Sequence, residues 1–378
     1  MGDNLMALRF LTSGESHGQA LNAIIDGIPY GYELDFDFIN SELSQRQQGF
    51  GRGGRMKIET DKIKIKSGVR HGITTASPIS IEIENKDWQN WLYPMSVEKI
   101  NFDELDSKLK AEVLEKIEEK KISKFRPAHA DLSGAIKYGF DDLRYVLERS
   151  SARETAIRVA VGAICQNILK NYNLEFSSEV LSVGECKNKD EFENYIKSYQ
   201  KEGDSLGGVV KITIKNVPIG LGSFIHWDKR LDGRLAQALM SIPAIKSVEV
   251  GLGKRYSELS GFNSHDEIFY DEKYYHKTNN SGGIEGGMSN GEDIILTVGM
   301  KPIPTMKKAL NSVEIKTHAK TQAHFERADN CAVYACGIVA KNMSAIIILD
   351  AFLEKFGQDS KKDIDFSFEH YKKRINEI

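Results

Sequence analysis

Clustered glycine constrains this chain more than any other feature. The 378 residues include 32 glycines against 8 prolines, and the glycines fall in groups such as Gly49-Phe50-Gly51-Arg52-Gly53-Gly54 and Gly282-Gly283-Ile284-Glu285-Gly286-Gly287. Glycine adopts backbone conformations closed to other residues and lets backbone approach a ligand closely, so such clusters predict tight turns around a site. The rest of the chain is ordinary globular material, 40% hydrophobic and 28% charged. That length allows two to three domains, or one large domain with internal symmetry. A net charge of −3 excludes a bulk polyanion binder and hence a nucleic-acid partner, leaving only local basic clusters.

Periodicity predicts mixed strand and helix. Leu8 to Thr12 reads as a short strand, and Asp35 as the cap of a helix carrying Phe38, Ile39 and Leu43. Ile63, Ile65 and Val69, then Ile79, Ile81 and Ile83, alternate as strands do. Residues 209–214 and Ile294 to Met300 read as further strands, 231–241 as a helix, and 332–355 as a mostly buried helix or pair of helices. In 101–125, thirteen of 25 residues are charged, and Leu105, Leu109, Val113 and Ile117 recur every four, which predicts an exposed amphipathic helix in a surface insertion. Ser151-Ala152-Arg153-Glu154 has the form of a capping box that opens a helix. Such a start would offer N–H groups to an anion beside Arg149, Ser150 and Ser151.

Met1-Gly2-Asp3-Asn4 carries no secretory signature, and the apolar run Ala345 to Leu353 is too short to span a bilayer. Cys165, Cys186, Cys331 and Cys336 form no Cys-x-x-Cys pair. These features point to a reduced, cytoplasmic protein with no membrane partner. No metal motif is present, so no metal is expected.

Two patterns imitate known motifs. Gly14-Glu15-Ser16-His17-Gly18 matches the Gly-x-Ser-x-Gly elbow of serine hydrolases, but the residues after it do not read as the required long helix. The loop from Gly49 matches Gly-x-Gly-x-x-Gly, but a helix precedes it where a dinucleotide fold needs a strand. The physical content lies in the charges. Arg46, Arg52, Arg55, Lys57, Arg70 and His71 fall within 26 residues around flexible backbone, and arginine forks recognise carboxylates and phosphates. With the loop histidines His17 and His129, they suggest a phosphate-bearing cofactor, an anionic small-molecule substrate and proton transfer by side chains.

Taken in order, several long motifs resemble the chorismate synthase family. They are Gly14 to Gly18, Gln47-Gln48-Gly49-Phe50-Gly51-Arg52-Gly53-Gly54-Arg55-Met56, Ser67-Gly68-Val69-Arg70-His71-Gly72, Arg126-Pro127-Ala128-His129-Ala130-Asp131, Ser150-Ser151-Ala152-Arg153-Glu154-Thr155 and Lys301-Pro302-Ile303-Pro304-Thr305. The resemblance implies an α/β (α+β) fold, a β-α-β sandwich of two related halves in one catalytic domain over 1–378, assembled as a homotetramer. It implies a lyase that removes phosphate from 5-enolpyruvylshikimate 3-phosphate, with reduced FMN as cofactor and NADPH as a possible reductant. By the motif match, His17, His129 and Asp329 are the catalytic positions. Arg46, Arg52, Arg55 and Arg153 are the substrate or NADPH positions. Arg149, Ser150, Ser151, Pro243, Ala244, Gly286, Lys301, Pro302, Ile303, Pro304, Thr305 and Arg327 are the FMN positions. Two departures stand out: Gln45 where the family usually has arginine, and Ala328-Asn330 around Asp329. Loss of catalysis in a flavin-binding protein is the competing reading.

Overall fold

A computed structural model describes residues 7–51, 61–326 and 329–377. Two four-stranded antiparallel sheets enclose a layer of helices. The first runs in the order Arg9–Ser13, Ala20–Asp26, Ile79–Glu84, Lys64–Ser67, and the second in the order Glu175–Val183, Gly208–Lys215, Ile294–Met300, Ile245–Val250. Period-2 burial makes these strands. Ile79, Ile81 and Ile83 are wholly buried while Ser80, Glu82 and Glu84 point away. Val210, Ile212 and Ile214 repeat the pattern opposite Ile294, Leu296 and Val298.

The helices of the first half are α1 (Phe36–Gln47), α2 (Ser107–Lys120), α3 (Asp131–Tyr138), α4 (Arg144–Ser150) and α5 (Thr155–Leu169). Asp35 does cap α1, accepting the Phe38 N–H at 2.9 Å. Helix α5 lies on the first sheet, and the core helix Val333–Phe356 lies on the second; the two pack along each other. The apolar run at 345–353 is only the end of this single core helix. By length and composition the whole helix could cross a membrane, but 94% of its most apolar window is buried inside the fold. Its interior is tied by one buried polar cluster. Lys341 Nζ donates to Glu42 Oε1 and Asn342 Nδ2 to Glu42 Oε2, both at 2.8 Å.

The stretch around Ser151 differs from the sequence reading. Arg149 and Ser150 close α4 rather than open a helix, and a 3-10 turn, Ala152–Glu154, separates α4 from α5. Ser151 caps that turn, accepting the Arg153 N–H at 3.3 Å. Glu154 does not reach back as a capping box requires; it binds Arg158 one turn on at 2.7 Å. Within 101–125, Val113 and Ile122 are buried, Leu105, Leu109 and Ile117 are half-buried, and most of the charged residues are exposed.

Candidate active site

The first sheet carries His17 on the turn between its first two strands. Gly14 opens that turn at φ +99°, where a Cβ would lie 2.2 Å from the Ala20 carbonyl oxygen. The turn is followed by a strand, not a helix, so the hydrolase elbow is absent. His17 sits 8% exposed against Trp91, with ring centroids 3.9 Å apart. Glu148, on α4, accepts the His17 backbone N–H at Oε2 (2.7 Å) and faces His17 Nδ1 with Oε1 (2.8 Å). The next residues of α4 close around the same turn. Arg149 donates to the carbonyls of Gly14 (3.1 Å) and Thr12 (3.0 Å), and Ser151 Oγ donates to Ser16 Oγ (3.1 Å). Ser150 donates its hydroxyl proton to Val146 O at 2.6 Å, so in this conformation that proton is not offered to a ligand.

His129 is held by a parallel device. Ala128 takes φ +61°, folding 126–131 so that Arg126 grips Asp131 with Nε and Nη2, each at 2.8 Å. Asp131 Oδ1 lies 2.6 Å from His129 Nδ1. Burial alone would raise the Asp131 carboxyl, but Arg126 and His129 outweigh it and hold it far below the usual carboxylate range. Lys301, at the end of its strand, donates to the Ala128 carbonyl and gives its own N–H to the Ala244 carbonyl at 2.9 Å. Burial, and then the neighbouring Lys246, press the Lys301 ammonium below its ordinary range. Ser205 Oγ fixes the Ile303 carbonyl at 2.7 Å, and Thr305 is buried beside it.

Arg46 and Arg153 converge on the buried Asp61. Arg153 Nη1 reaches its two oxygens at 2.6 and 2.7 Å, and Arg46 Nη1 lies at 3.7 Å. Arg46 also donates to Thr155 Oγ1 (3.0 Å) and to Ala152 O (2.8 Å), joining α1 to the turn behind Ser151. Gly51 O accepts the Asn330 N–H at 3.0 Å, which puts the glycine loop beside Asp329. Arg158, one turn into α5, donates to Ser241 O (3.3 Å) and Oγ (3.0 Å), just before Pro243 and Ala244. Arg52, Arg55 and Arg327 lie outside the described residues.

Most of the residues marked in the sequence therefore gather into two neighbourhoods. His17, Arg149, Ser150, Ser151, Arg153 and Arg46 form one, and His129, Lys301 to Thr305 and Ala244 form the other. Gly286 lies on a separate hairpin. With Gly287 it makes the positive-φ turn of that hairpin, Ile284–Glu285 and Met288–Ser289, where an added Cβ would meet only Phe224 Cβ, at 4.0 Å. Sequence reasoning passed over Glu148, Arg144, Trp91 and Asp61. Only Glu148 left a local trace, as an acid four residues after Arg144, and that spacing also describes any solvated helix face.

A family model described as chorismate synthase matches residues 8–353. The chain belongs to the chorismate synthase family. A chorismate synthase of Sulfurihydrogenibium sp. (strain YO3AOP1) is 46% identical over 97% of this chain and 99% of its own length. One of Caldanaerobacter subterraneus subsp. tengcongensis is also 46% identical, over 96% and 98%. A crystal structure of a chorismate synthase superposes with a TM-score of 0.76 at 37% identity, covering 98% of this chain and 99% of that one. The α+β fold is thus that of a chorismate synthase. The chain is a lyase of the shikimate pathway with a small-molecule substrate, and chorismate synthases as a family depend on a flavin.

Proposed function

We propose that the chain converts 5-enolpyruvylshikimate 3-phosphate to chorismate by 1,4-anti elimination of phosphate and the C6 hydrogen, with reduced FMN bound. One observation carries the assignment of the chemistry to these residues. His17 and His129 are each gripped at Nδ1 by a buried carboxylate that a buried arginine clamps in turn. Imidazoles held this way are oriented for proton exchange rather than left to rotate.

The donor set fits FMN. Lys301 fixes the stiff Lys301 to Thr305 segment against the Ala128 and Ala244 carbonyls, with Lys246 close by, a cationic frame that suits a phosphate. Lys301 to Thr305, Arg149, Ser150, Ser151, Pro243, Ala244 and Arg327 would hold the cofactor. Gly286, the remaining FMN position implied by the resemblance, lies on the turn of the Ile284–Ser289 hairpin. Reduced FMN, when bound, supplies transient electron density to the substrate and a position at N5 for the departing hydrogen. Arg46, Arg52, Arg55 and Arg153 hold the substrate's carboxylates and phosphate, or NADPH. His129 hands a proton to the leaving phosphate, His17 keeps the reduced flavin in its required protonation state, and Asp329 assists proton uptake near N5. We read the chain as one catalytic domain of two related halves, acting as a cytoplasmic homotetramer. Each sheet carries its own long helix, which supports the two halves. The flavin depends on an external reductant, for which NADPH is the candidate.

An anaerobic assay with photoreduced FMN and the enolpyruvyl substrate tests this reading. Phosphate release is expected. A folded, flavin-binding preparation that releases none would overturn it in favour of a binding protein.

A further inference from the structure

Three buried acid–base pairs among the described residues lie outside the positions that the sequence marked: Glu42 with Lys341, Asp350 with Arg234, and Glu148 with Arg144. Only the third touches a residue assigned a proton. We propose that Glu148 is a positioning residue for His17. It holds the neutral imidazole as the Nδ1–H tautomer, so that Nε2 is the nitrogen that takes up or gives the proton.

The geometry leaves the carboxylate one way to satisfy its neighbours. An ionised carboxylate only accepts hydrogen bonds. Glu148 Oε2 takes the His17 backbone N–H at 2.7 Å, and Oε1 faces Nδ1 at 2.8 Å, so Nδ1 must carry hydrogen. Turning the ring over would set a carbon against Oε1 and lose that bond. Trp91 covers one face of the ring and opposes the turn.

Glu148 is itself fixed. It is 3% exposed, and Arg144 Nη1 lies 3.3 Å from Oε1. Arg144 is shared with Glu326, whose Oε1 accepts Nη2 at 2.8 Å, and Arg144 Nε donates to the Lys120 carbonyl at 2.7 Å. His324 faces Glu326 in turn at 3.5 Å. Burial alone would raise the Glu326 carboxyl, but His324 and Arg144 overcome this and hold it at about 2. The carboxylate on Arg144 therefore stays charged. Through Lys120, whose ammonium lies 4.9 Å from the Trp91 ring centroid, the charged helix α2 also ends against this frame.

A merely structural Glu148 would tie α4 to the His17 turn and do nothing more. That tie already exists in the backbone, where Ser16 N–H donates to Glu148 O at 3.0 Å, and Glu148→Gln keeps it. The proposal rests on the reading of His17 as a proton-handling residue, so its test needs a readout besides turnover. In the full-length protein labelled with 15N-histidine, the His17 signals are assigned by their loss in His17→Ala. Wild type is expected to show Nδ1 carrying hydrogen at every pH sampled. In Glu148→Gln the carboxamide can accept only one of the two donors, and the nitrogen signals should move towards a mixture of tautomers. That variant should lose about 10- to 1,000-fold in kcat while the substrate KM changes less than about 3-fold.

An unprotonated Nδ1 in wild type would overturn the proposal. So would Glu148→Gln with kcat within about 3-fold of wild type, or with unchanged His17 nitrogen signals. His17→Ala separates the two claims. If it keeps turnover, the proton role of His17 falls, while the wild-type nitrogen signals still decide whether Glu148 sets the tautomer.

Discussion

Replacing Lys341 by methionine isolates what the polar cluster between α1 and the core helix contributes. Lys341 and Glu42 are 6% and 2% exposed, and their 2.8 Å contact is backed by Asn342 at 2.8 Å and Gln166 at 3.4 Å on the other oxygen. Methionine fills nearly the volume of lysine, so packing is kept while Glu42 loses its counter-charge. Removing one partner of a buried pair costs about 3–5 kcal/mol, because the remaining charge stays desolvated. At about 2.1 cal/mol/K of unfolding entropy per residue, a chain of 378 residues should then melt about 4–6 °C lower. The double variant Glu42→Gln with Lys341→Met removes both charges and should recover most of that loss, since neutral replacements of buried pairs are often isoenergetic. The assay is thermal unfolding by circular dichroism, with the urea midpoint as an independent check. A single variant within about 1 kcal/mol of wild type would refute the reasoning, as would a double variant no more stable than the single. The first result would mean that the asparagine and glutamine amides suffice to hold the carboxylate, and the second that the lost stability does not come from an uncompensated charge.

Two further outcomes follow from the site. The Glu326 carboxyl is held at about 2 in the fold against an unfolded value near 4.3, so its stabilisation is complete above pH ~4.5 and disappears as pH falls towards 2. Glu326→Gln should flatten the acid limb of the stability profile; an acid limb identical to wild type would refute the assignment. His129→Ala should lower phosphate release by about 10²- to 10⁴-fold and shift the melting temperature little, because His129 lies in a loop at the mouth of the Lys301 segment. His17 differs in this respect. Its stacking on Trp91 means that its removal should cost stability as well, and a large melting shift for His129→Ala instead would mark that ring as structural.

Local signals were legible in the sequence and long-range ones were not. Alternation at Ile79, Ile81 and Ile83 and the Asp35 cap depend on residues a few positions apart, and both appear as read. The motif histidines were visible because they sit in glycine- and proline-bounded loops. What holds them was not. Glu148 lies 131 positions from His17, and Asp61 lies 92 from Arg153, separations that no periodicity encodes. Ser151 to Glu154 misled for the opposite reason. Its capping pattern is locally sound, but α4 arrives immediately before it, and Arg158 is the stronger partner for Glu154.

The order of elements along the chain also bears on its synthesis. The inner face of the second sheet, Val210, Ile212, Ile214, Ile294, Leu296 and Val298, is covered by a helix that begins only at Val333. A nascent chain leaving the ribosome therefore displays this apolar face until residues near 356 emerge, and its first half waits on the same helix to cover α5. Closure of both halves must therefore wait for this helix, and truncation before residue 333 should give an aggregating product rather than a smaller stable one.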